Sequence, residues 1–127
     1  MATGLTIAGS ARLAGGDGIS LSGSANASGD TILSIDASIP LNTTNSPVAA
    51  AFVVADVVAL YIVSSVNVVL KTNSTGAPDD TINLKAGVPL MWVASAPYQA
   101  NPFSADVTEI FITTTTAARL QALVLTA

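Results

Sequence analysis

ADVVALYIVSSVNVVLKT, residues 55–72, is the stretch that decides the fold, because its first eight residues return. Ala55-Asp56-Val57-Val58-Ala59-Leu60-Tyr61-Ile62 recurs fifty residues later as Ala105-Asp106-Val107-Thr108-Glu109-Ile110-Phe111-Ile112. Both copies keep Ala-Asp-Val, then an aliphatic, an aromatic and an isoleucine at the same offsets. A phenylalanine precedes each, Phe52 and Phe103. The β-branched and aromatic content marks both as strands. The repetition makes them equivalent strands in the two halves of one β-sandwich.

The first copy is apolar on both sides. Val58, Leu60 and Ile62 alternate onto one face, and Val57, Ala59, Tyr61 and Val63 onto the other. A strand of that kind is covered on both faces. One face is the sandwich core. The sequence has no amphipathic helix to cover the other, so a partner chain is expected there. In the second copy Glu109 stands where the first has Ala59, so that outer face is expected to meet water.

Outward from this stretch the chain reads as short strands with turn signals between them. Thr31 to Ile39 alternates cleanly, with Leu33, Ile35, Ala37 and Ile39 on one face, and Pro40 ends it. Leu41 to Pro47 reads as a loop and Val48 to Val54 as an apolar strand. Asn67 to Thr72, Thr81 to Lys85 and Leu90 to Val93 are further strands, the first two joined by the turn-rich Asn73 to Asp80. Ala94 to Ser104 is irregular, and Val107 to Thr113 and Arg119 to Leu125 read as a closing antiparallel pair. About nine strands without a helical period predict an all-β, antiparallel β-sandwich of Greek-key or jelly-roll type over residues 31–127. Residues 1–30 form a Gly/Ser/Ala-rich N-terminal arm, with weak strands at Thr3 to Ala8 and Ile19 to Ala27 around Gly15-Gly16-Asp17-Gly18. Small residues specify register poorly, so the arm is expected to pack on a second sheet or a neighbouring subunit.

Composition narrows the function. The 127 residues suit one domain. Neither cysteine nor histidine occurs, which removes disulfides, thiolate metal sites and the commonest general base. Charged residues are 9%, against about 25% in ordinary soluble domains. So little charge points to a membrane protein or to a subunit that buries its surface against neighbours. The apolar run Val48 to Val63 is short for a spanning helix, contains Asp56 and has no flanking cation, so no membrane partner is expected. The net charge is −4, and Arg12, Lys71, Lys85 and Arg119 are scattered, which excludes a phosphate-tracking surface and nucleic acid. Met1 to Gly18 lacks a basic region followed by an apolar one, so no secretory leader is expected. The Asn-X-Ser/Thr triplets at Asn26, Asn42 and Asn73 then read as turn chemistry.

The chemistry-bearing residues do not assemble in the sequence. Asp79 and Asp80 beside Asn73 could hold calcium, but they lack an EF-hand-like ligand series and read as an acidic turn. Asp56 and Asp106 could pair as glycosidase carboxylates. Their repeat context makes them strand-start acceptors for turn amides instead. The serines and threonines have no base. No catalytic residue, metal or cofactor is assigned, and the chain is not expected to be an enzyme. Trp92, Tyr98 and Phe103 flank the irregular stretch. They could stack on a sugar, but with six aromatics in the chain, core and interface anchoring is the stronger reading. The interface candidates are therefore Val57, Ala59, Tyr61, Val63, Trp92, Tyr98 and Phe103.

One resemblance adds to this. Residues 73–92, NSTGAPDDTINLKAGVPLMW, followed by Asn101-Pro102-Phe103-Ser104-Ala105-Asp106-Val107 and Ile110-Phe111-Ile112, resemble the small β-sandwich capsid decoration (cement) proteins of tailed bacteriophages. The similarity spans about residues 50–127 and leaves out the N-terminal arm. It implies a structural virion protein on the capsid surface, made in the host cytoplasm. Its partners would be the major capsid protein and copies of itself, as a homo-oligomer. A tail or fibre component, or a carbohydrate-binding module using Trp92 and Tyr98, are the alternatives.

Overall fold

A computed structural model of the chain describes residues 3–12, 20–95 and 100–127. Ten strands run through them: β1 (Thr3–Arg12), β2 (Ser20–Gly29), β3 (Thr31–Ile39), β4 (Thr43–Val48), β5 (Val57–Ser64), β6 (Val68–Thr72), β7 (Thr81–Leu84), β8 (Leu90–Val93), β9 (Ile110–Thr114) and β10 (Ala118–Thr126). The helical content among the described residues is one 3-10 turn, Val54–Asp56.

Eight strands form two four-stranded sheets, ordered β3-β10-β5-β8 and β4-β9-β6-β7, with every pair antiparallel. Advancing each strand four places around the cycle β3 to β10 turns the first order into β7-β6-β9-β4, the second sheet read backwards. This is the internal symmetry of a jelly roll, and it carries β5 onto β9. The repeated motif thus occupies the two symmetry-related strands. β1 and β2 form a separate two-stranded hairpin.

The core lies between the two sheets. Leu60 and Ile62 of β5 meet Ile110 and Ile112 of β9 there, with Leu70, Leu120 and Val124. Each such side chain contributes about 1.5–3 kcal/mol of transfer free energy when fully buried. The two phenylalanines ahead of the repeats pack edge to face, with centroids 5.3 Å apart and planes at 76°. Phe52 and Val107 exchange both backbone hydrogen bonds, at 2.9 and 3.0 Å. Among the described residues, Ser64, Thr72 and Thr114 are the buried polar ones. Thr72 Oγ1 accepts from the Asp80 amide at 2.9 Å, and Thr114 Oγ1 donates to the Thr116 carbonyl.

The structure corrects four readings of the sequence. First, alternation puts Val57 on the outer face, yet it is 4% exposed and in the core. Thr126 pairs with Val57 and Leu125 with Ala59, so Val58 is an extra residue, and this bulge reverses the facing of Val57 and Val58. Second, the expected loop Leu41 to Pro47 contains β4. Pro47 is tolerated because β4 is an edge strand. Asn42 and Asn45, at φ 54° and 52°, take left-handed conformations that asparagine accepts. Third, the expected strand Val48 to Val54 bends away after Val48 into the Phe52 bridge and the 3-10 turn. Fourth, Val107 to Thr113 begins its strand only at Ile110, and β9 and β10 lie in different sheets instead of pairing.

Candidate functional site

Apolar side chains stand side by side on the outer face of the β3-β10-β5-β8 sheet, whereas the exposed Leu41, Val53 and Val88 lie outside its strands. The strand register arranges them in rows. The first row is Ile32, Leu125, Ala59 and Val93. The β1–β2 hairpin lies over its last three members and leaves Ile32 exposed: Leu5, Ile7 and Ala27 pack on Ala59, Val93 and Leu125. Ala59 and Leu125 are wholly buried as a result. The chain reaches this position through Gly29, buried at the end of β2. A Cβ there would stand 2.5 Å from the Thr126 carbonyl oxygen and 3.0 Å from the Leu125 side chain, so only glycine permits the close crossing. The Asp30 amide then donates to that same carbonyl at 2.8 Å. On its solvent side the hairpin is polar, and Thr6 Oγ1 donates to Asn26 Oδ1 at 2.7 Å.

The second row is Ser34, Leu123, Tyr61 and Met91. Leu123 and Tyr61 are half-buried, and Met91 is 39% exposed. Val63, half-buried, continues the patch in a third row with Gln121 and Asp36. Asp36 and Arg119 border it as an exposed bidentate pair, Nε to Oδ1 and Nη2 to Oδ2 both at 2.8 Å. The hydrogen bond from Arg119 holds the Asp36 carboxyl below its ordinary pKa.

The sequence-derived interface candidates therefore separate. Tyr61 and Val63 lie together on the open part of this face. Ala59 lies on it too, but its cover is the chain's own hairpin and not a partner. Val57 and Phe103 are core residues, 4% and 3% exposed. Trp92 is half-buried and packs against the core. Tyr98 lies outside the described residues. Leu123 and Met91 were missed. The signal that finds them is pairing register, which places each directly opposite Tyr61.

Asp79, Asp80 and Asp106 make hydrogen bonds that tie loops together. Asn73, at φ 68°, is the hub: its Nδ2 donates to Asp79 Oδ2 and to the Asp106 carbonyl at 2.7 Å, and its Oδ1 accepts from the Thr108 amide at 2.8 Å. Asp80 accepts from the Ser104 amide and hydroxyl, both at 2.8 Å. Asp106 Oδ1 accepts from the Val54 amide at 2.8 Å. The carboxylates thus pin the β6–β7 loop and the 3-10 turn to the segment before β9. No group of three acidic ligands placed to hold a metal occurs among the described residues. A shallow cleft of about 310 Å³ opens at the ends of β6, β7 and β9, where Asn67, Val69, Asn83 and Thr113 line it and Lys85 is the one charged residue. No helix among the described residues is long and apolar enough to cross a membrane.

No protein-family model matches the chain, and neither a curated protein nor a solved structure matches it.

Proposed function

We propose that this chain is a structural subunit of a virion, a capsid decoration (cement) protein that binds the head surface through the major capsid protein and through copies of itself. The observation that carries the reading is the open apolar patch Leu123, Tyr61, Met91 and Val63 on a sheet whose adjoining row is already covered by protein. In a chain with 9% charged residues, that patch is surface suited to burial against another protein. Jelly rolls serve in viral capsid, lectin and cupin domains, and the fold alone does not choose among them. The resemblance over about residues 50–127 favours the first. A subunit of this kind works by area: a standard interface buries roughly 1,600 Å² in total, and repetition over a shell adds avidity. A tail or fibre component would share these features. The sugar-binding reading draws little from Trp92, which is spent on core packing.

The test uses virions of the phage that carries this gene, separated into heads and tails. The chain is expected in the head fraction, and purified protein is expected to rebind stripped heads and raise their resistance to heat. Recovery with tails, or failure to bind heads, would overturn the reading.

A further inference from the structure

We propose that the cleft on the outer face of the β4-β9-β6-β7 sheet binds an acidic saccharide, through a sugar unit that bears one carboxylate. This goes beyond the assembly reading above and uses the opposite side of the sandwich from the Tyr61 patch.

The cleft is built from side chains of three adjacent strands. Register sets Thr113 of β9, Val69 of β6 and Asn83 of β7 in one row. Their chain neighbours Ile112, Leu70 and Leu84 turn inward to the core, so this row faces out. Asn67, Lys85 and Thr115 stand just outside the ends of the same three strands and complete the lining. The cleft spans about 310 Å³, the lower end of the range for small-ligand sites.

Hydrogen-bond accounting gives the character of the ligand. The Ala86 amide donates to Asn67 Oδ1 at 2.8 Å, which orients that side chain and leaves its Nδ2 as an unspent donor. Among the described residues, the side chains of Asn83, Lys85 and Thr115 make no hydrogen bond or ion pair. Thr113 Oγ1 is already held by Asn45. Donors therefore outnumber acceptors, and no carboxylate lines the cleft. A ligand rich in oxygen acceptors and carrying negative charge answers that excess. One lysine without an arginine beside it matches the single charge of a carboxylate better than a phosphate dianion. Val69, half-buried at the centre, supplies an apolar contact for the C–H face of a sugar ring.

A peptide fits less well. β9 and β6 are inner strands, with their backbone groups spent on both neighbours. Main-chain pairing, which holds extended peptides on sheets, is on offer at the β7 edge and not across the cleft. Recognition there falls to amide, hydroxyl and ammonium side chains, the partners that sugar hydroxyls and a carboxylate take.

Amide NMR on the intact chain tests this, with a tetramer of galacturonic acid as the probe and a tetramer of galactose as its neutral counterpart. The acidic probe is expected to shift resonances of residues 67–69, 83–85 and 113–115. The neutral one should bind about tenfold more weakly, the worth of one charge-assisted hydrogen bond. Lys85→Gln should bring the same loss, and Lys85→Arg should keep the binding. Asn83→Ala should weaken it with the melting temperature unchanged, because that side chain is exposed. Absence of shifts at millimolar probe, equal binding of the neutral tetramer, or indifference to Lys85→Gln would overturn the proposal. Equal competition by inorganic phosphate or by an acidic peptide would do so too, by reducing the cleft to a general anion contact. Tyr61→Asp lies on the other sheet and should bind the probe as the unaltered chain does. Failure of the probe to bind therefore removes this proposal alone, and failure to rebind heads removes the capsid reading alone.

Discussion

β5 and β9 carry the same motif at symmetry-related places in the jelly roll, and their inner faces agree. Leu60 and Ile62 on one, and Ile110 and Ile112 on the other, are each at most 4% exposed. Their outer faces diverge. On β5, Ala59 lies beneath the hairpin and Tyr61 stands between Leu123 and Met91. On β9, Phe111 stands between Pro47 and Lys71, and Thr113 Oγ1 accepts from the Asn45 amide at 2.9 Å. Glu109, the counterpart of Ala59, precedes β9, and its carbonyl accepts the Asn73 amide at 2.9 Å. The shared residues are those the sandwich core demands. The differing ones set what each sheet presents outward: an unbroken apolar row around Tyr61 on one side, and on the other a mixed surface in which Phe111 stands among Pro47, Lys71 and the tethered Thr113.

The largest effects test the shared half of this comparison. Leu60→Ala and Ile112→Ala each empty a fully buried site, and each should cost about 2–5 kcal/mol by urea denaturation. The two losses should be of similar size. If one were tolerated, the strands would not be equivalent in the core.

The next substitutions exchange the differing half. Ala59→Glu puts a carboxylate beneath the hairpin, at a cost of about 2–3 kcal/mol. The chain can limit that cost by releasing the hairpin, so limited proteolysis should cut within the first thirty residues while the sandwich survives. Glu109→Ala should stay within about 0.5 kcal/mol. Equal effects would erase the distinction between the faces. Asn73→Ala removes the hub that fastens the segment before β9, including its bond to the exposed Thr108 amide, and leaves alanine at a left-handed φ of 68°. It should cost about 1–3 kcal/mol and speed hydrogen exchange in residues 73–80 and 104–109 while leaving β5 protected.

The smallest effect is electrostatic. Asp36 has its pKa depressed by the Arg119 hydrogen bond. Its contribution to stability is therefore complete above the ordinary carboxylate pKa and is lost as pH falls through the depressed one. Asp36→Asn should flatten the acid limb of the stability profile slightly and leave neutral pH almost unchanged. A large change at neutral pH would mean that the pair holds the sheet edge, contrary to its exposure.

Much of this was legible in the sequence because alternation at period two reports burial directly. The repeat marked the equivalent strands, and Leu60, Ile62, Ile110 and Ile112 read as core. What alternation cannot register is an added residue. The bulge at Val58 exchanged the faces of Val57 and Val58 without any turn signal. Nor does a run such as Leu41 to Pro47 disclose that it will lie at an edge, where proline and left-handed asparagine are tolerated. The cover over Ala59 was misread for a related reason. Leu5, Ile7 and Ala27 are too few and too widely spaced among glycine and serine to look like a packing surface. They become one only when β1 and β2 pair. Leu123 and Met91 were hidden because lateral neighbours come from strand pairing, and pairing is not written along the chain.

Hydroxyl-radical footprinting read by mass spectrometry tests the central claim most directly, since Tyr61 and Met91 on one face and Phe111 on the other are all oxidisable. As protein concentration is raised, or as stripped heads are added, Tyr61 and Met91 should become protected while Phe111 keeps its reactivity. Unchanged labelling of Tyr61 and Met91 in every state, or protection of Phe111 alone, would contradict the account.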